Sequence, residues 1–93
     1  MVDNALLGGL RVVENSLLGP GLVGTFLADL GADVVKVEST SGDYIRQMTW
    51  PIVDGTSLMH LHTHRGKRSL AIDLKASEGA EIYRELTRGA DVV

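Results

Sequence analysis

Apolar residues fall along this chain in two rhythms. Leu-Arg-Val-Val-Glu at 10–14 and Asp-Val-Val-Lys-Val-Glu at 33–38 are short, β-branched and strand-like. Between them Leu22, Val23, Phe26, Leu27 and Leu30 recur at helical spacing and predict an amphipathic helix. Gly19-Pro20-Gly21 reads as the turn leading into that helix, and Gly31 stands where a left-handed C-cap belongs. Strand, helix and strand make one βαβ unit with a right-handed crossover. Residues 39–56 form a long polar connection containing Gly42, Asp43, Pro51 and Gly55, a length associated with functional or mobile loops. The pattern then predicts a short helix over 57–62 and a strand over 69–74. A helix follows over 77–88, with Ala80, Ile82, Tyr83 and Leu86 inward and Gly89 as its stop. A further strand starts at Asp91. This order implies an α/β fold: a Rossmann-like three-layer unit around a mainly parallel sheet.

Composition narrows the picture. Ninety-three residues make one small domain, and 44% hydrophobic with 4% aromatic content gives an aliphatic core, suited to a sheet covered by helices. A net charge of −3 argues against a nucleic-acid partner, which needs a broadly basic face. The absence of cysteine excludes a disulfide scaffold and a thiolate zinc site and suits a reducing compartment. The N-terminus lacks the basic region of a signal peptide. The longest apolar stretch, 17–27, is interrupted by Gly19, Pro20, Gly21, Gly24 and Thr25, well short of the roughly 18 apolar residues of a membrane span. A soluble, cytoplasmic protein with no membrane partner is expected. Because the chain ends on a strand-like segment, we read residues 1–93 as the first part of a longer protein, and expect the isolated piece to associate.

Four groups of residues carry candidate chemistry. Gly-Pro-Gly-Leu-Val-Gly at 19–24 matches G-x-G-x-x-G between a strand and a helix, with Glu38 closing the next strand in the position that meets a ribose hydroxyl. That pattern allows an NAD-dependent oxidoreductase, although a tight turn and close helix packing account for it more simply. His60, His62 and His64 alternate, but without cysteine or a His-Glu-x-x-His pattern they read as solvated or loop-packing histidines and not as metal ligands. Asp29, Asp33 and Glu38 fit helix and strand ends, and no G-x-S-x-G elbow is present. The remaining group is the run 65–75, which holds Arg65, Lys67, Arg68 and Lys75, four of the nine Lys and Arg residues. Its plain reading is a solvated loop. Its chemical reading is a phosphate site, since Gly66 allows close backbone approach and Lys75 leaves the strand at the edge where α/β sheets bind ligands.

Two of these blocks resemble a known family. Leu-Ala-Asp-Leu-Gly-Ala-Asp-Val-Val-Lys-Val-Glu at 27–38 is similar to the L-A-D-L-G-A-D-V-I-K-V-E signature of family III CoA-transferases, the CaiB/BaiF group of carnitine and formyl-CoA transferases and α-methylacyl-CoA racemases. Residues 65–75 resemble its R-G-K-R-S-(x)4-D-L-K block, and Glu78-Gly79, Ala-Asp-Val-Val at 90–93 and Leu-Gly-Gly-Leu-Arg-Val-Val-Glu at 7–14 fit the same pattern in order. The chain departs from it at Ser39, where the family often has Arg, at His64, where Asn is common, in a loop after the first strand that is one residue shorter, and at Ala76-Ser77, where Thr-Pro is usual.

The resemblance implies the N-terminal part of a larger CoA-transferase fold, with residues 1–93 belonging to its CoA-binding Rossmann-like domain. It implies coenzyme A or an acyl-CoA as substrate, a carboxylic acid as acceptor, no metal, and an interlocked homodimer. The catalytic Asp of the transferases, and the acid/base pair of the racemases, are expected beyond residue 93. Carried over by position, Leu17, Leu18, Ile72, Asp73, Leu74 and Lys75 line the CoA site, with Ser39, Arg65, Lys67 and Arg68 as further candidates. A racemase of the same family, an NAD-dependent oxidoreductase, and a non-catalytic structural or assembly segment stand as alternatives.

Overall fold

The computed structural model describes residues 5–48, 52–53 and 56–93, without the side chains of Leu18, Ile52 and Val53. Its centre is a three-stranded parallel sheet of β1 (Arg11–Glu14), β2 (Asp33–Glu38) and β5 (Lys67–Ala71), with β2 in the middle. Val12 is paired with Val34 and Glu14 with Lys36; across the other edge Val34 meets Lys67 and Lys36 meets Ser69. Because strand side chains alternate, Val12, Glu14, Val34, Lys36, Glu38, Lys67 and Ser69 share one face.

That face is apolar at one end and charged at the other. Helix α1 (Leu18–Asp29) covers it, and Val12, Ala32 and Val34 pack with Leu7, Leu10, Leu27 and Ala28. Helix α3 (Ser77–Arg88) covers the opposite face, where Val13, Val37 and Ile72 pack with Tyr83, Leu86 and Ala90. The three layers are therefore helix, sheet and helix. Gly31, at φ +106°, closes α1 in the left-handed conformation its position predicted.

Several expectations need correction. Helix α1 begins at Leu18, so Gly19, Pro20 and Gly21 lie inside its first turn and form no separate turn. A proline there is tolerated because first-turn N–H groups have no intrahelical acceptor. Val23, Phe26 and Leu30 are exposed, and Leu27 with Ala28 supplies the inner contact. Ile82 also faces outward. The connection 39–56 contains a 3-10 turn, Tyr44–Gln47, and an antiparallel pair of β3 (Ile52–Val53) with β4 (Thr56–Ser57), followed by α2 (Leu58–Thr63). Pro51 and Gly55 of that connection lie outside the described residues. Strand β5 starts at Lys67 and stops at Ala71, two to three residues earlier at each end than the alternation suggested. Helix α3 is preceded by Ala76 with no side-chain cap, so Ser77 does not replace the missing Thr. After α3, Val92 makes one parallel bridge to Val12 on the free edge of β1. Among the described residues no helix is long and apolar enough to cross a membrane.

Candidate functional site

A cleft of about 460 Å³ opens at the carboxyl edge of the sheet. Three segments wall it: Asn15 and Leu17 after β1, residues 39–40 and 42–44 after β2, and residues 72–75 after β5, with Lys36, Val37 and Glu38 as its floor. This is the edge at which open α/β sheets bind ligands. Leu17, Leu74 and Tyr44, each about half-exposed, give it apolar surface, and Ile72 lies buried behind. The third segment is shaped by Asp73, whose Oδ1 accepts from the Lys75 backbone N–H at 3.0 Å and turns the chain out of the strand. Ile72 N–H donates to the Glu38 carbonyl at 2.9 Å, which fixes where this segment leaves the sheet. Lys75 is exposed at the rim.

Of the predicted residues, the structure thus brings Leu17, Ser39, Ile72, Asp73, Leu74 and Lys75 together. The Leu18 side chain lies outside the described residues. Arg65, Lys67 and Arg68 go elsewhere, each to a carboxylate. Arg65 forks onto Asp29 at 2.7 and 3.1 Å, and the hydrogen bonds it donates hold that carboxyl below its usual range. Arg68 makes the same paired contact with Asp33. The Lys67 side chain is buried and donates to Glu14 at 2.9 Å and to the Gly21 carbonyl at 2.7 Å; burial lowers its pKa despite the partner. Gly66 makes the turn into β5 at φ +75° and does not line the cleft.

The dinucleotide reading fails on geometry. A Cβ at Gly24 would stand 1.8 Å from a Glu14 carboxylate oxygen, so this glycine admits the buried ion pair under α1. Glu38 is not available to a ribose. Both its oxygens take the Arg46 guanidinium, at 2.8 and 2.9 Å, and it also accepts from Ser69 and, at 2.8 Å, from the Asp43 backbone N–H. These bonds, the Arg46 fork above all, bring its pKa down to about 2.

The histidines divide, with His60 and His64 turned to the same side at the end of α2 and His62 exposed. His60 and His64 pack ring to ring with centroids 4.2 Å apart, while the exposed His62 backbone carbonyl accepts from Arg65. Burial, then the neighbouring His60 and lysines, lower His64 to about 4.

Sequence reasoning missed Lys36. Its ammonium, at 1% residue exposure, donates to the Ser16 carbonyl and lies 3.3 Å from Glu14 Oε2 and 3.2 Å from Asp43 Oδ2. The available signal was register: aligning the two strands places Glu14 beside Lys36 on one face.

Known proteins resemble this chain over nearly its whole length. The sequence profile of CoA-transferase family III matches residues 7–93. The succinate–glutarate CoA-transferase of Agrobacterium fabrum is 47% identical over 94% of this chain and 24% of its own length. The α-methylacyl-CoA racemase of mouse is 39% identical over 95% of this chain and 19% of its own. The crystal structure of a CaiB/BaiF family protein from Brucella suis superposes with a TM-score of 0.87 at 42% identity, over 96% of this chain and 25% of that one. The chain spans about a quarter or less of the length of these proteins.

Proposed function

Because the chain belongs to CoA-transferase family III, we propose that it is the N-terminal, coenzyme-binding part of an acyl-CoA:carboxylate CoA-transferase. The observation that carries this reading is the cleft, where Leu17, Ile72, Leu74 and Lys75 meet around a volume able to take part of a large ligand. In this reading Leu17, Ile72 and Leu74 supply the apolar wall for the adenine end. Lys75 supplies the charge for a phosphate, and Ser39 a hydroxyl at the rim. Arg65, Lys67 and Arg68 act through the fold, since each is held by a carboxylate. No residue of the cleft is assigned the nucleophile: Glu38 is held by Arg46, and Asp73 shapes its own turn. The acyl transfer falls to other residues of the complete enzyme, which we take to be a homodimer exchanging CoA between an acyl-CoA and a carboxylic acid. The role of this part is binding energy remote from the reacting carbon. A racemase of the same family would use the same cleft; the higher identity to the Agrobacterium transferase than to the mouse racemase favours transfer.

The test is calorimetric titration of the complete enzyme with CoA and with NAD. CoA binds saturably, Lys75→Ala weakens it about fivefold, in line with loss of one charge-assisted contact, and NAD gives no heat. Saturable NAD binding with no heat from CoA refutes the reading.

A further inference from the structure

We propose that Lys36 is a positioning residue of the cleft: its buried ammonium ties the segment after β1 to the segment after β2 and so sets the distance between two of the three walls that grip the coenzyme. The proposal rests on the coenzyme reading of the cleft given above.

Three observations carry it. The ammonium donates to the Ser16 carbonyl and lies within ion-pair distance of two buried carboxylate oxygens, Glu14 Oε2 and Asp43 Oδ2. Its charge is already met by those two carboxylates, so Lys36 does not act as a phosphate cation although it lies on the floor of the cleft. The partners lie on different segments. Ser16 stands between the cleft residues Asn15 and Leu17, and Asp43 between the cleft residues Gly42 and Tyr44. Asp43 is also fixed on its other sides. Its Oδ1 caps the 3-10 turn at Ile45 N–H, 3.0 Å, and its own N–H donates to Glu38 at 2.8 Å. A movement of either segment must therefore pull on the same nitrogen. Around it, Lys67 shares Glu14, and His64 Nε2 lies 3.5 Å from Asp43 Oδ2. Glu14, Lys36, Asp43 and Lys67 sum to zero charge with His64 neutral, the state that burial favours for it.

The experiment compares Lys36→Arg and Asp43→Asn with the wild type in the complete enzyme. Asp43→Asn keeps the oxygen that caps Ile45 and removes the charge that Lys36 meets. Two readouts are taken at a temperature where each protein is folded: the CoA dissociation constant, and the methyl resonances of Leu17 without ligand. We expect CoA to bind about tenfold more weakly in either variant, with the Leu17 resonances displaced by Asp43→Asn although the substitution lies on the other segment. A residue of structural importance only would lower the melting midpoint and leave both readouts of the folded protein unchanged. A dissociation constant within twofold of wild type, or unmoved Leu17 resonances in Asp43→Asn, overturns the proposal. A wild type that ignores CoA refutes the coenzyme reading instead, and the ligand-free resonances then still decide whether Lys36 links the segments.

Discussion

Gly79→Ala should destabilise this protein, against the rule for helices. Gly79 is the third residue of α3 and is buried. In an unhindered helix the exchange stabilises by about 1 kcal/mol, because alanine loses less backbone freedom. Here an added Cβ would stand 1.9 Å from the carbonyl oxygen of Asp73, 2.8 Å from its carbon and 3.0 Å from Ile72 Cγ2. Relief needs a shift of about 1.5 Å to reach ordinary contact. The obstacle is backbone, and this backbone is held by the Ile72 N–H bond to Glu38 and the Ala76 N–H bond to Asp73. Overpacking costs about 1–3 kcal/mol, and against fixed backbone the upper part of that range, about 2–3 kcal/mol, applies, so the net change is a loss of about 1–2 kcal/mol after the propensity gain of about 1 kcal/mol. Urea unfolding followed by far-ultraviolet dichroism reads it as a midpoint lower by about 1 M at unchanged slope. Gly19→Ala is the control: it lies in α1 with nothing within 4 Å of the added Cβ, and should be neutral or stabilising by up to about 1 kcal/mol. Since residues 72–75 wall the cleft, Gly79→Ala should also weaken CoA binding. An unchanged or higher midpoint for Gly79→Ala would refute the close approach of α3 to the Asp73 backbone.

Other substitutions and conditions test the electrostatics. His64 is held near 4 against an ordinary value of 6.5, so the unfolded chain takes up the proton first; stability present above pH 6.5 falls as pH drops toward 4, by about 2 kcal/mol between pH 7 and pH 5. His60 is lowered in the same direction, and His64→Gln should flatten that part of a melting-midpoint profile. Glu38, held near 2 against 4.5, adds a separate loss only below pH 4.5, as its carboxylate protonates on the way to pH 2. Glu38→Gln should cost about 3 kcal/mol in a urea titration at pH 7, because it leaves the Arg46 guanidinium without its buried partner. Arg65→Ala and Arg68→Ala should leave CoA affinity within about twofold in calorimetry, as both side chains lie in exposed ion pairs away from the cleft. A tenfold loss from either would return the basic loop to the coenzyme site.

What could be read from the chain, and what could not, follows from how local each signal is. Alternation over Asp33–Glu38 and the glycine at 31 report on their own neighbours, and both elements stand where they were expected. The bounds of β5 depend on distant charges. Lys67 and Arg68 are poor strand residues alone and become good ones beside Glu14 and Asp33. Gly19-Pro20-Gly21 signals a turn by composition, yet the first turn of a helix tolerates the same residues. For the cleft, the residues carried by family resemblance after β1 and β5 converge, whereas Tyr44 and Lys36 were overlooked. Lys36 sits in a strand that reads as ordinary alternation. Only the pairing of β1 with β2, and the return of the 39–43 segment, turn it into the meeting point of two walls.

The middle position of β2 also sets an order of events during folding. Its two neighbours reach it from opposite directions along the chain, and the Lys67 contacts with Glu14 and Gly21 close spans of 53 and 46 residues. Such long closures come late, after the local β1-α1-β2 unit, and their side-chain contacts form last. Until β5 docks, Glu14 and Lys36 remain open to water on that side and their desolvation is postponed. Interactions absent from the rate-limiting barrier mainly govern escape from the native state. The charged end of the sheet therefore acts as a latch on lifetime: loosening it should speed unfolding and leave the speed of folding nearly unchanged.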